Sequence, residues 1–180
     1  LLQAEDELAS VNMIIGASFG GVPSLTATAG PGLALMTEGI GLAITAEVPI
    51  VVVDVMRGGP STGIPAKSEQ SDFSYAVSGL HGDAPRIVVA PSSIGDCIGA
   101  TQWAVQLAEG LQTAAIVLSD QFMGQSRAII DAPARDDATV AGRLVAEANA
   151  PDFKRYRDTA SGVSPMAVPG TPGTTYTADG

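Results

Sequence analysis

The sequence predicts an α/β fold, a mostly parallel sheet with helices on both faces. Three observations carry this reading. Helical and extended segments alternate from residue 3 to residue 119. The extended segments are continuous apolar runs, such as Pro49-Ile50-Val51-Val52-Val53, as expected of strands buried on both faces. Aromatic residues make up only 4% of the chain, which suits close helix–sheet packing better than a β-sandwich.

The elements follow in order. Residues 3–18 predict a helix, with Ala4, Leu8, Val11 and Ile15 on one face at helical spacing. A neighbouring line, Glu5, Ala9, Asn12 and Gly16, is small and polar and carries one carboxylate at its start. Val22 to Thr28 predicts a strand. Gly30-Pro31-Gly32 forms a turn into a helix from Leu33 to Ala46, with Pro31 suited to an early helical position. Pro49 to Val55 is the next strand and Ser71 to Ser78 a short helix. Arg86 to Ala90 predicts a strand, Ile94 to Glu109 a helix and Ala114 to Ser119 a strand. Residues 121–130 favour no one structure.

The character changes after Asp131. Asp136 to Pro151 is polar with some helix propensity, and Ser161 to Gly180 is rich in Pro, Thr and Gly. The expected organisation is an α/β domain over residues 1–131, then a partly helical, then extended connecting arm over residues 132–180.

Charge and composition exclude several classes. The net charge is −10, from 19 acids against 9 bases, so a nucleic-acid backbone is repelled. No apolar run approaches the roughly 20 residues of a membrane span, and no signal peptide is present. A cytoplasmic protein is expected. Cys97 is the only cysteine and His81 the only histidine. That argues against a disulfide framework, a Cys-ligated cluster or a His-based metal site on this chain. His81 is expected in a surface turn, Cys97 as a small core filler, and Met36 and Trp103 in the core.

Two segments match the nucleophile-elbow spacing, Gly16-Ala17-Ser18-Phe19-Gly20 and Gly59-Pro60-Ser61-Thr62-Gly63. Neither lies between a strand and an immediately following helix, which the elbow requires. Gly58 to Lys67 lacks the spacing of a P-loop. The stretch from Asp54 to Lys67 remains, and it stands out. Arg57 sits where an apolar strand ends, before a loop too rich in Gly and Pro to be helix or sheet. Ligands bind at the carboxyl ends of parallel strands, and a guanidinium offers a planar fork matched to a carboxylate.

Several segments occur together in one order. They are Gln3-Ala4-Glu5-Asp6-Glu7, Thr26-Ala27-Thr28-Ala29-Gly30-Pro31-Gly32-Leu33-Ala34-Leu35-Met36-Thr37-Glu38-Gly39, Arg57-Gly58-Gly59-Pro60-Ser61-Thr62-Gly63 and Glu69-Gln70-Ser71-Asp72. His81-Gly82-Asp83, Leu118-Ser119-Asp120-Gln121 and Pro169-Gly170-Thr171-Pro172-Gly173 follow. The set resembles the alpha subunit of 2-oxoacid:ferredoxin oxidoreductases, particularly the 2-oxoglutarate type, over nearly the whole chain.

The resemblance implies a thiamine diphosphate pyrimidine-binding domain, N-terminally truncated, in a longer polypeptide. It implies a separate beta subunit that binds the diphosphate, Mg2+ and an iron–sulfur cluster, so that the enzyme is a hetero-oligomer. The implied reaction joins a 2-oxoacid, coenzyme A and oxidised ferredoxin to give acyl-coenzyme A, carbon dioxide and reduced ferredoxin. Glu5 matches the family glutamate that hydrogen-bonds the aminopyrimidine ring nitrogen, serving catalysis and cofactor binding alike. Arg57 matches the arginine that binds the substrate carboxylate, with Ser61 and Thr62 in the adjoining substrate loop.

The family's Tyr-Pro-Ile-Thr-Pro segment is absent before Leu1, and relatives continue beyond Gly180 into a further domain. Ala66 stands where many relatives carry threonine, which removes a hydroxyl near the distal end of the substrate. A non-catalytic interaction module that kept the fold is the alternative expectation.

Overall fold

A computed structural model describes residues 1–132 and 142–177. Four strands form one sheet in the order β1-β2-β4-β3, where β1 is Leu25–Thr28, β2 Ile50–Met56, β3 Ile87–Val89 and β4 Ala114–Asp120. Every pairing is parallel. The two longest strands are central, and every residue of β4 is buried. The continuous apolar runs therefore meant what parallel sheets require, coverage on both faces.

Helices α1 (Glu7–Phe19) and α2 (Gly30–Thr45) cover one face. Val11, Ile14, Leu33, Met36 and Ile40 pack there on Ile50, Val52, Ile116 and Leu118. A short α3 (Phe73–Ser78) follows β2. Helix α4 (Asp96–Leu111) covers the other face with Ala100, Ala104 and Ala108 against Val51, Ala115 and Val117. An alanine stripe at i, i+4 and i+8 brings the helix close to the sheet. Trp103 lies beside that stripe and is 54% exposed, contrary to the expectation that it belongs to the core. Helix α5 (Gln121–Gln125) closes the domain.

Three boundaries differ from the sequence reading for physical reasons. Helix α1 starts at Glu7, not at residue 3, because the Asp6 carboxylate accepts from the Ala9 N–H at 2.7 Å and caps the helix. Glu5 thus precedes the helix. The buried line of α1 is Val11, Ile14 and Ser18, while Leu8 is exposed. Ser18 tolerates burial because its hydroxyl donates to the Pro49 carbonyl. Strand β1 begins only at Leu25, since Gly21 turns the chain at φ +91° and Pro23 has no N–H to give a ladder. Helix α2 takes in Gly30-Pro31-Gly32, with Pro31 in its first turn.

Residues 142–177 contain no helix. Of the segment expected to have helix propensity, residues 136–141 lie outside the described residues. The arm packs back on the domain. Val145 and Met166 form an isolated parallel bridge, and Met166 is fully buried in the α1/α2 core. Arg155 is buried as well. It donates to the Glu47 carboxylate at 2.7 Å and to the Ala46 and Glu47 carbonyls, which end α2.

Candidate functional site

Parallel pairing puts the carboxyl ends of all four strands at one edge. Thr28 is in register with Asp54, and Met56 with Asp120. Two cavities open at this edge on either side of the start of α2. One, of about 570 Å3, is lined by Glu5, Glu7, Ser10, Thr28, Ala29 and Met36 among others. The other, of about 370 Å3, is lined by Gly30, Pro31, Arg57, Ser61, Asp72 and Tyr75 among others. Successive residues Ala29 and Gly30 divide them. The fold thus brings Glu5 and Arg57 to adjoining cavities, not to one.

Glu5 is exposed and belongs to the segment leading into the Asp6 cap. Behind it the Ser10 and Thr26 hydroxyls bond α1 to β1 at 2.5 Å. Glu7, in the first turn of α1, is half-buried. A Cβ on Gly32 would lie 1.9 Å from Thr28 Oγ1 and 2.8 Å from Glu7 Cγ, so only glycine lets the three elements meet there.

Arg57 leaves the end of β2 and is half-buried. Its Nη1 donates to the carbonyls of Gly58, Ser61 and Thr62 at 3.2, 3.4 and 3.1 Å. Among the described residues its hydrogen bonds use Nη1 alone, which leaves Nε and Nη2 for another acceptor. Ser61 and Thr62 meet Arg57 through their backbone carbonyls, and both residues are exposed; Ser61 also lines the second cavity. The loop is built to hold this shape. Ile64 N–H donates to the Gly58 carbonyl, Gly58 N–H to the Lys67 carbonyl and Gly59 N–H to Glu69 Oε2. Ala66 is exposed.

Sequence reasoning missed two residues beside this loop. Asp54 is completely buried in β2. No N–H or hydroxyl among the described residues reaches either of its oxygens, nor Oδ2 of Asp72. The two carboxyls face each other. Burial first, then the charge and hydrogen bond of Asp72, push Asp54 up to about 7. Burial also raises Asp72, against the hydrogen bond it accepts from Asp54. A carboxylate inside an otherwise apolar strand was the available signal. Farther along the edge, Asp120 accepts from the Met123 N–H and from Gln70, and these bonds hold it below the usual carboxylate range. His81 is exposed in a turn, while Cys97 is half-buried against Met123, where burial pushes its thiol up.

A parallel α/β layer with a carboxylate and a guanidinium in neighbouring strand-end cavities defines a ligand-holding domain of the open-sheet class. The family described as pyruvate flavodoxin/ferredoxin oxidoreductase, thiamine diphosphate-binding, matches residues 1–177. The chain belongs to this family. It is 41% identical to the 2-oxoacid:ferredoxin oxidoreductase subunit alpha of Saccharolobus solfataricus, over 99% of this chain and 29% of that protein. It is 46% identical to the 2-oxoglutarate synthase subunit KorA of Archaeoglobus fulgidus, over 73% of this chain and 38% of that one. The solved 2-oxoglutarate:ferredoxin oxidoreductase from Magnetococcus marinus, with 2-oxoglutarate, coenzyme A and succinyl-CoA bound, superposes with a TM-score of 0.92. There the identity is 48%, covering 99% of this chain and 31% of that chain. The chain thus spans about a third of the length of these proteins. No helix among the described residues is long and apolar enough to cross a membrane.

Proposed function

We propose that this chain supplies the pyrimidine side of a thiamine diphosphate site, and the carboxylate clamp for substrate, to a 2-oxoacid:ferredoxin oxidoreductase. The single observation that carries the reading is the pairing at one sheet edge. A cavity holding Glu5 lies next to one holding Arg57, in a chain of this family. The residues present fit the cofactor. The Glu5 cavity offers the carboxyl groups of Glu5, Asp6 and Glu7, with Asp6 engaged as the α1 cap, together with the apolar side chains of Leu25, Ala27 and Met36, which suits a flat ring with polar edge nitrogens. Thiamine diphosphate, when bound, supplies the electron sink for decarboxylation.

The chain's own residues do the rest. Glu5 hydrogen-bonds the pyrimidine edge and orients the ring. Arg57, steadied through Nη1, presents Nε and Nη2, which bond to none of the described residues, to a carboxylate as a bidentate partner. Ser61 and Thr62 shape the substrate loop. The substrate class is a 2-oxoacid, with 2-oxoglutarate first. Ala66 offers no hydroxyl to its distal end. Coenzyme A, ferredoxin and a beta subunit carrying Mg2+ and an iron–sulfur cluster complete a cytoplasmic hetero-oligomer. Likeness to oxidoreductase subunits favours this reading over a non-catalytic module.

The test is to copurify the complete alpha and beta chains and screen several 2-oxoacids for coenzyme A-dependent dye reduction. Turnover with at least one 2-oxoacid, greatest for 2-oxoglutarate, is expected. A complete, cofactor-loaded complex that turns over none of them contradicts the proposal.

A further inference from the structure

Asp54 has no use in the function proposed so far, yet its setting is unusual. It is the only charged residue of β2 and is fully buried on the α1/α2 side of the sheet. Its neighbours in register, Thr28 on β1 and Leu118 on β4, carry no charge. The group that answers it is Asp72, at the returning end of the loop that Arg57 begins. Asp54 is fully buried, and the Asp72 oxygen Oδ2 is buried and unpartnered although the residue itself is half-buried, so the facing carboxyls do not both ionise readily and the pair keeps one proton.

The surroundings say where the proton resides. Asp72 lies against the first turn of α2; a Cβ on Gly30 would be 2.6 Å from its Oδ2. The N-cap residue of that helix, Ala29, makes no side-chain capping bond. A helix start favours a negative charge, and Arg57 also favours the charge on Asp72, against the opposing charge of Glu69. Asp54, with neither, keeps the proton and donates it to Asp72. The other ionisable groups nearby are Glu69 on the loop, Glu7 of α1 across the first turn of α2, and Asp120 one strand over, already bonded to Gln70.

We infer that Asp54 and Asp72 are positioning residues, a proton-sharing clasp that closes the base of the Arg57 loop and fixes the guanidinium for a substrate carboxylate. The bond ties the outgoing limb of the loop, three residues before Arg57, to its returning limb and to the start of α2. Asp72 and Arg57 line the same cavity. When the proton is lost, two like charges repel at the base of the loop. A second negative charge then also stands behind the site that must take an anion.

This inference rests on the carboxylate-binding reading of Arg57, and its test separates the two. The Asp54 carboxyl is raised above its unfolded value, so the clasp is intact below neutrality and is lost as pH rises through about 7. In the complete wild-type complex the KM for the 2-oxoacid should rise about tenfold per pH unit above that point, because the competent fraction falls in proportion. Asp54→Asn offers an amide N–H that does not titrate. Its KM should stay within about twofold between pH 6 and 9, by the same relation. A wild-type pH slope that survives in Asp54→Asn overturns the inference, while absence of any 2-oxoacid turnover in wild type overturns the function instead. Asp72→Asn provides a second variant should the first fail to assemble. Infrared spectroscopy on the wild-type complex needs no variant: a protonated carboxyl C=O band that titrates near neutral pH is expected, and its absence overturns the clasp.

Discussion

Replacing Gly63 by alanine tests whether the shape of the Arg57 loop matters for binding. Gly63 has φ +40°, and a Cβ there would lie 2.4 Å from the Gly58 carbonyl oxygen. It would also lie 2.8 Å from Gly59 Cα and 2.9 Å from Gly59 C. All three are backbone atoms, so no rotamer relieves the contact. The left-handed conformation costs alanine about 1–2 kcal/mol. Separating the strands of the loop loses the Ile64 N–H bond to the Gly58 carbonyl, 3.1 Å long, for about 1 kcal/mol more. The native loop thus loses about 2–3 kcal/mol against its alternatives, equivalent to about 30- to 150-fold in population. Steady-state kinetics of the complete complex should show KM for the 2-oxoacid rising by up to about a hundredfold, with kcat changed by only a few-fold. Gly82→Ala is the control: its φ is +71° but nothing lies within 4 Å, and it is remote in sequence from the loop. Wild-type KM in Gly63→Ala would refute the reasoning.

Four further outcomes are expected. In α2, Gly39→Ala should destabilise the subunit by about 1–3 kcal/mol in urea titration, since a Cβ would lie 2.8 Å from Val11 Cγ1 across the α1–α2 contact. Gly41→Ala, with nothing within 4 Å, should instead stabilise it by about 0.5–1 kcal/mol through helix propensity. Arg155→Ala should cost about 3 kcal/mol, at the low end for a broken buried pair because Glu47 is 32% exposed and can rehydrate. Limited proteolysis should then cut the arm over 142–177 faster than in wild type. Arg57→Lys should raise KM for the 2-oxoacid about 10- to 100-fold through loss of a bidentate contact, with kcat less affected.

The fold was legible because its signals were local. Apolar runs without alternation gave a doubly covered parallel sheet, and Gly30-Pro31-Gly32, read as a turn into α2, lies within its first turn. Where the reading failed, the deciding contact was either a cap or a partner far along the chain. The bond that Asp6 accepts from the Ala9 N–H set where α1 begins and left Glu5 outside the helix. Trp103 was expected in the core; the alanine stripe beside it took the sheet. The segment over residues 132–180 reads as a partly helical, then extended connecting arm. A single arginine in it, Arg155, meets the end of α2 more than a hundred residues away. At the site, the strand-end position of Arg57 was plain in the sequence. The clasp behind it was not, because Asp54 and Asp72 are brought together only by the return of the loop.

The central claim is that Glu5 serves a cofactor at the strand-end cavity. Glu5→Ala in the complete alpha–beta complex tests it most directly, with assembly and retained thiamine diphosphate measured beside coenzyme A-dependent 2-oxoacid turnover. An assembled complex is expected whose turnover falls by about a hundredfold or more, the scale on which positioned proton-transfer groups act. An assembled, cofactor-loaded Glu5→Ala complex turning over near the wild-type rate would contradict it.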